Sequence, residues 1–275
     1  MPVSTGRATV TFQVSGQLSG EARGQARGIA DERAPLLCKR LLPRFAEDAL
    51  AVEMLEREAR VLGQLAGRAA PRLVASGKDA HGPYLLAEWL TMVPLSACRG
   101  ELRLIERIAP LAFRALGQIH DALGPRGPLV HGDLSPDNVM ASVAHGEAKI
   151  VDFGLARAGK DAGPPEGPFR GTLLYAAPEL ARGEAIDARA DLFALAASLL
   201  HLAAVRSPRA SAEPGAMLLE AAERPIDAWA AEAGARLGRD VREPLLRCVA
   251  MDREARPRRA LDVFGEDPVV DPPHA

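Results

Sequence analysis

The sequence predicts an α+β protein, with strands gathered near its start and helices filling most of the rest. Three observations carry that expectation. Short β-branched or alternating apolar runs fall before residue 90. Helical periodicity occupies residues 46–66, resumes near Pro110 and ends in an almost wholly apolar run near Ala204. Between these lies a polar stretch, residues 130–154, whose oxygen-bearing side chains sit on loops beside apolar strand-like segments. At 275 residues the chain is one large domain or two lobes sharing a cleft, and 48% hydrophobic residues suffice for a sizeable core.

The elements follow in order. Ala8–Val14 alternates and reads as a strand. A glycine-bearing turn, Ser19-Gly20-Glu21-Ala22-Arg23-Gly24, comes next. Leu36-Leu37-Cys38-Lys39 is a short apolar strand ending in a lysine. In the helix over 46–66, Leu55, Leu62 and Leu65 share a face, and Glu58 lies on it while Glu53 and Glu56 point elsewhere. A carboxylate buried unpaired costs several kcal/mol, so Glu58 needs a cation, and Lys39 is the sensible partner. Leu73–Ser76 and Tyr84–Leu90 read as further strands. A helix is expected from Pro110, in its first turn, to about Leu123. The run that starts near Asp187–Asp191 continues almost wholly apolar to about Ala204 and is expected to be a buried helix capped by Asp191.

Composition narrows the function. A net charge of −2 points to neither nucleic acid nor an anionic membrane surface. Only Lys39, Lys78, Lys149 and Lys160 are lysine, and the arginine- and alanine-rich usage suits a GC-rich bacterial genome. Cys38, Cys98 and Cys248 are scattered without metal-ligand spacing, as expected in a reducing cytoplasm. No apolar run reaches about 18 residues and no leader opens the sequence, so no membrane span is expected. Asp133, Asn138 and Asp152 are hard oxygen donors with no thiol beside them. They suit Mg²⁺, which shares its coordination shell with phosphate, and leave one carboxylate to accept a proton.

His131-Gly132-Asp133-Leu134-Ser135-Pro136-Asp137-Asn138 followed by Asp152-Phe153-Gly154 resembles the catalytic and metal-binding loops of eukaryotic-like serine/threonine protein kinases. Gly171-Thr172-Leu173-Leu174-Tyr175-Ala176-Ala177-Pro178-Glu179 is similar to the end of that family's activation segment, and Asp191 and Arg256 fall in family order behind it. The resemblance covers about residues 8–264 and implies a bilobal fold: a small antiparallel sheet with one helix over 1–90, and a larger, mainly helical lobe over 91–275. It implies ATP and Mg²⁺ as cofactors and a protein substrate. Asp133 would be the catalytic base, Asn138 and Asp152 the metal ligands, and the Lys39–Glu58 pair the grip on the α- and β-phosphates. Gly24, Ala26, Leu37, Ala87 (guarding the pocket behind adenine), backbone groups from Glu88 to Leu90, and Met140 would form the ATP site. His131, Phe153, Glu179, Asp191 and Arg256 would support it, with Arg256 bracing Glu179.

The sequence departs from that pattern at informative places. Gly132 replaces the arginine that reads a phosphorylated activation segment, and no Ser, Thr or Tyr occurs from Leu155 to Arg170. Activity independent of activation-segment phosphorylation is therefore expected. Ser135 stands where serine/threonine kinases carry a lysine, and the glycine loop is degenerate, with Ser19 and Glu21 in its first two glycine positions. These departures keep two alternatives open: a pseudokinase that binds without turnover, and a small-molecule phosphotransferase of the aminoglycoside or choline kinase type. With no sensor domain in the sequence, regulatory input is expected from a separate partner or from none.

Overall fold

The computed structural model describes residues 9–14, by backbone course alone, together with 35–158 and 169–265. The glycine turn with Gly24 and Ala26, and the proline-bearing stretch 159–168, lie outside the described residues. Two compact units emerge: one comprises the residues up to Thr91 with Asp152–Gly154, the other Met92–Val151 and the residues from Leu155 on.

The first unit is built on an antiparallel sheet of β1 (Thr9–Val14), β2 (Leu36–Leu41), β3 (Leu73–Asp79) and β4 (Gly82–Glu88), in the order β1-β2-β4-β3. β2 and β3 run past the expected Lys39 and Ser76 because their pairing with β4 continues, whereas β4 is displaced by two residues from the expected Tyr84–Leu90 and leaves Trp89 and Leu90 outside the sheet. Lys39 thus lies inside β2 rather than at its end. Leu37 pairs with Ala87 and Lys39 with Leu85, which sets these four side chains on one face. Leu36, Cys38, Val74, Ala75 and Leu86 form a separate buried cluster. Helix α1 (Ala49–Leu65) starts where the Asp48 carboxylate accepts hydrogen bonds from Leu50 N and Ala51 N. It ends at Ala66 in the left-handed region, φ 51°. Its buried face holds Leu55, Leu62 and Leu65, as periodicity predicts.

In the second unit, helix α2 spans Leu102–His120 and encloses Pro110. The expected start at Pro110 is therefore corrected by two turns. An interior proline costs about 3 kcal/mol, whereas each fully buried Ile, Leu or Phe contributes roughly 1.5–3 kcal/mol. Ile105, Ile108, Phe113, Leu116 and Ile119 are all buried, so packing outweighs the proline. A 3-10 turn follows over Asp121–Arg126. A three-stranded sheet joins β5 (Val93–Pro94), β7 (Val139–Ser142) and β8 (Glu147–Ile150), and β6 (Leu129–Val130) pairs with β9 (Arg157–Ala158). Helices α3 (Pro178–Ala181), α4 (Ala188–Ala203), α5 (Pro214–Glu223), α6 (Asp227–Gly234) and α7 (Arg239–Cys248) complete it.

Every residue of α4 from Ala190 to Ala203 is buried, so this helix is the axis of the unit. Its cap is Asp187, whose carboxylate accepts from Arg189 N, and not Asp191, which lies one turn inside. The three cysteines are buried: Cys38 in β2, Cys98 ahead of α2 and Cys248 at the end of α7. No described helix is long and apolar enough to cross a membrane.

Candidate catalytic site

In the first unit a lysine and two carboxylates converge. The Lys39 ammonium donates to Glu58 Oε2 at 2.6 Å and to Asp152 Oδ1 at 2.9 Å. Burial opposes the charge on Lys39, but Glu58 and Asp152 outweigh it and hold its pKa above the usual lysine value. The pairing with Glu58 follows the sequence expectation. The second bond, to Asp152, was not legible, because 113 residues separate the partners. Asp152 adopts φ 68°, a left-handed conformation uncommon for a residue with a side chain. Behind it Phe153 is fully buried. A Cβ at Gly154 would meet Met54 Cε at 3.4 Å and Asp152 Oδ1 at 3.6 Å, ordinary contact distances, while Arg57 donates to the Gly154 carbonyl at 3.4 Å.

In the second unit the 131–138 loop is held through its backbone. Asp191, nearly inaccessible, accepts from His131 N at 2.7 Å (Oδ2) and from Gly132 N at 2.9 Å (Oδ1). His120 Nε2 reaches the same Oδ2 at 2.9 Å, a partner the sequence reading missed. The His131 ring bonds the backbone on both sides. Its Nδ1 accepts from Asp133 N at 3.2 Å, so the proton lies on Nε2, which donates to the Val151 carbonyl at 3.0 Å. Asn138 Nδ2 donates to the Asp133 carbonyl at 2.8 Å, which fixes the orientation of its amide. The Asp133 carboxylate itself accepts from Thr172 N at 2.7 Å through Oδ1. That approach depends on Gly171, whose φ is +115° and whose missing Cβ would lie 3.3 Å from Asp133 Oδ1. Gly132, at φ +77°, would place a Cβ 3.2 Å from the Leu155 carbonyl, so this backbone disfavours any larger side chain.

Deeper in the same unit Arg256 meets Glu179 through two parallel bonds, 2.7 and 2.9 Å, both side chains being buried. The guanidinium also donates to the carbonyls of Ala250, Arg189 and Met251 and stacks over Phe193. A buried charge pair tolerates its desolvation only with such full satisfaction. Nearby, Arg99 can only donate to His201 Nε2 (3.0 Å), so His201 carries its proton on Nδ1 and donates it to the Tyr175 hydroxyl oxygen at 2.8 Å. Burial, and then Arg99, push the His201 pKa down to about 4. Burial pushes Tyr175 up to about 12.

No group of three or more His, Cys, Asp or Glu gathers to hold a metal among the described residues. Asp152 in the first unit and Asn138 in the second each carry a hard side-chain oxygen of the kind Mg²⁺ takes.

Residues 44–259 match the protein kinase domain family. The chain is a member of the protein kinase family. The match begins after β2, so Lys39 precedes the matched residues. Similar kinases include the tyrosine-protein kinase MasK of Myxococcus xanthus, 33% identical over 60% of this chain and 27% of the relative. Serine/threonine-protein kinase Pkn1 of the same organism is 36% identical over 61% of this chain and 23% of its own length. PknL of Mycobacterium tuberculosis is 30% identical over 63% and 44%. The chain thus spans less than half the length of these relatives.

Protein kinases use ATP, generally with a divalent metal. Of the residues expected around the nucleotide, Leu37 and Ala87 are cross-strand neighbours on the face that carries Lys39, and Ala87 is buried. Glu88 closes β4, and its N–H donates to the Arg72 carbonyl at 2.9 Å. Leu90, half-buried, lies beyond the strand. Met140 sits in β7, opposite Pro94 and Lys149.

Proposed function

We propose that this kinase transfers the γ-phosphoryl group of ATP to serine or threonine hydroxyls of proteins. The observation that carries the proposal is the immobilised Asp133 carboxylate. Thr172 N–H fixes Oδ1, while His131 and Asn138 fix the Asp133 backbone, so the carboxylate is held ready to accept the hydrogen of a substrate hydroxyl. Asn138 and Asp152 would hold Mg²⁺, which when bound neutralises charge on the phosphates. Lys39, kept charged by Glu58 and Asp152, would bind the α- and β-phosphates. We assign residues 1–90 to the ATP-gripping lobe and 91–275 to the lobe with catalytic loop, activation segment and substrate-binding helices, working in the cytoplasm. The Glu179–Arg256 brace behind the activation segment supports a protein acceptor rather than a small molecule.

Incubation of the purified chain with γ-labelled ATP and Mg²⁺ tests this reading, with generic protein and aminoglycoside acceptors in parallel. Label on serine or threonine is the expected result; label on the small molecule, or no turnover, overturns it. Activity is expected without phosphorylation of the activation segment, because Gly132 supplies no phosphate-reading cation and Asp133 is already held by a main-chain amide. Phosphatase-treated protein should start at the untreated rate. A lag abolished by pre-incubation with ATP, with phosphate on Thr172 or Tyr175, would contradict this.

A further inference from the structure

Arg209, between α4 and α5, is only 4% exposed, yet none of its side-chain bonds goes to a carboxylate. Nη1 donates to the carbonyls of Glu220 and Arg224 at 3.2 and 3.3 Å, and Nη2 to the carbonyl of Ala176 at 3.4 Å. Nε is buried without a partner. Burial pulls the guanidinium pKa down to about 10, and the Glu220 charge opposes that shift. Arg256 is the contrast, since its two bonds to Glu179 supply a counter-charge. A buried cation held by carbonyls alone weighs against stability, so its presence calls for a gain in geometry.

The three carbonyls belong to two elements. Those of Glu220 and Arg224 mark the end of α5. Ala176 lies between Thr172, whose N–H holds Asp133, and Glu179, which Arg256 braces. The clasp is reciprocal at the α5 end, where Ala210 N donates to Glu220 Oε2 at 2.9 Å. Apolar packing alone holds α5 weakly: Ala221 is its only buried residue, and Leu219 is 60% exposed. Next to Ala176, the Tyr175 hydroxyl is held by His201. Asp133, Thr172, Tyr175, Ala176 and Ala177 line one depression. An acceptor chain that offers a hydroxyl to Asp133 therefore meets the backbone that Arg209 sets.

We propose that Arg209 is a positioning residue for the protein acceptor: one guanidinium plane fixes the Tyr175-Ala176-Ala177 backbone and ties the end of α5 to it. Arginine suits the task because its donors are spread over separate nitrogens in a rigid fork, whereas a lysine presents all of its donors from one atom. The acceptor role rests on the kinase reading; the tie between α5 and the segment does not.

Initial rates of the full chain with ATP and dephosphorylated casein test the role. Arg209→Met keeps the length and loses the donors, and should raise the KM for casein at least about tenfold, the equivalent of one charge-assisted bond. The KM for ATP should move by less than about twofold. Arg209→Lys keeps the charge without the fork, so its casein KM should fall between the two; it carries the test if Arg209→Met does not fold. A casein KM at the wild-type value in either variant, or a KM for ATP that rises in step with it, overturns the role. Hydrogen exchange reads the tie without turnover. The amides of Tyr175 and Ala176, bonded to the carbonyls of Thr172 and Leu173, should exchange faster in both variants, by about tenfold or more in Arg209→Met. Wild-type exchange there, or equal speeding at His131 and Gly132, overturns the tie. If the wild type labels no casein, the kinase reading and the acceptor role fall together, and the exchange result still decides the tie.

Discussion

The two units hold their chemical groups by opposite means. In the first, Lys39, Glu58 and Asp152 are fixed by charge against charge, side chain to side chain. In the second, the loop carrying Asp133 is fixed by main-chain N–H groups on carboxylates: Asp191 holds His131 and Gly132, and Thr172 holds Asp133. Charge pairs are coupled to one another and lose their worth together. Amide-to-carboxylate bonds fix geometry whatever the state of other charges. The second arrangement suits the role of base proposed for Asp133, and the first the phosphate-binding role proposed for Lys39.

The largest effect should come from the two carboxylates proposed as base and as metal ligand. Asp133→Asn keeps an oxygen for Thr172 N–H and so should keep the fold, yet lower turnover by about 10²–10⁴. Asp152→Asn should lower it at least as far. Steady-state rates with Mg²⁺ and thermal melts of both variants decide this, and near-wild-type turnover in either would remove the role assigned to it. Next in size is Asp191→Asn, which places an NH₂ group opposite N–H donors. Loss of about 2–5 kcal/mol of stability is expected in urea unfolding; a loss below about 1 kcal/mol would break the claim that the loop hangs on that carboxylate.

The charge-held side is sharpened by a double-mutant cycle. Lys39→Ala and Glu58→Gln should each depress turnover, with a coupling of about 0.5–3 kcal/mol between them. Full additivity would mean that the pair does not act as one. The smallest effect is a pH dependence. The folded pKa of His201, about 4, lies below its ordinary value near 6.5. Between those values the unfolded chain binds the proton and the folded chain does not, so this group makes stability fall as pH drops from about 6.5 toward 4. His201→Gln should flatten that part of the stability profile.

The same contrast explains what the sequence disclosed. Glu58 was legible because helical spacing sets a lone carboxylate on an apolar face, and only one lysine stood ready nearby. Asp191 was legible as an anchor but misjudged as a cap, since Asp187 four residues earlier satisfies the free amide. Pro110 misled because a local rule was overridden by packing that no local window shows. The bonds from His120 to Asp191 and from Thr172 to Asp133 join residues 71 and 39 apart through a ring nitrogen and a main-chain amide. Neither leaves a compositional trace.

The buried cysteines report on local opening in both units. Thiols react with disulfide reagents only when uncovered and ionised, and burial hides these three and raises their pKa values, Cys248 to about 12. Labelling of the native protein thus requires local opening. Cys38 belongs to the charge-held unit; Cys98 and Cys248 belong to the amide-held one. Without any engineered probe, the chain carries its own stopwatches, and their separate rates would show which half breathes first.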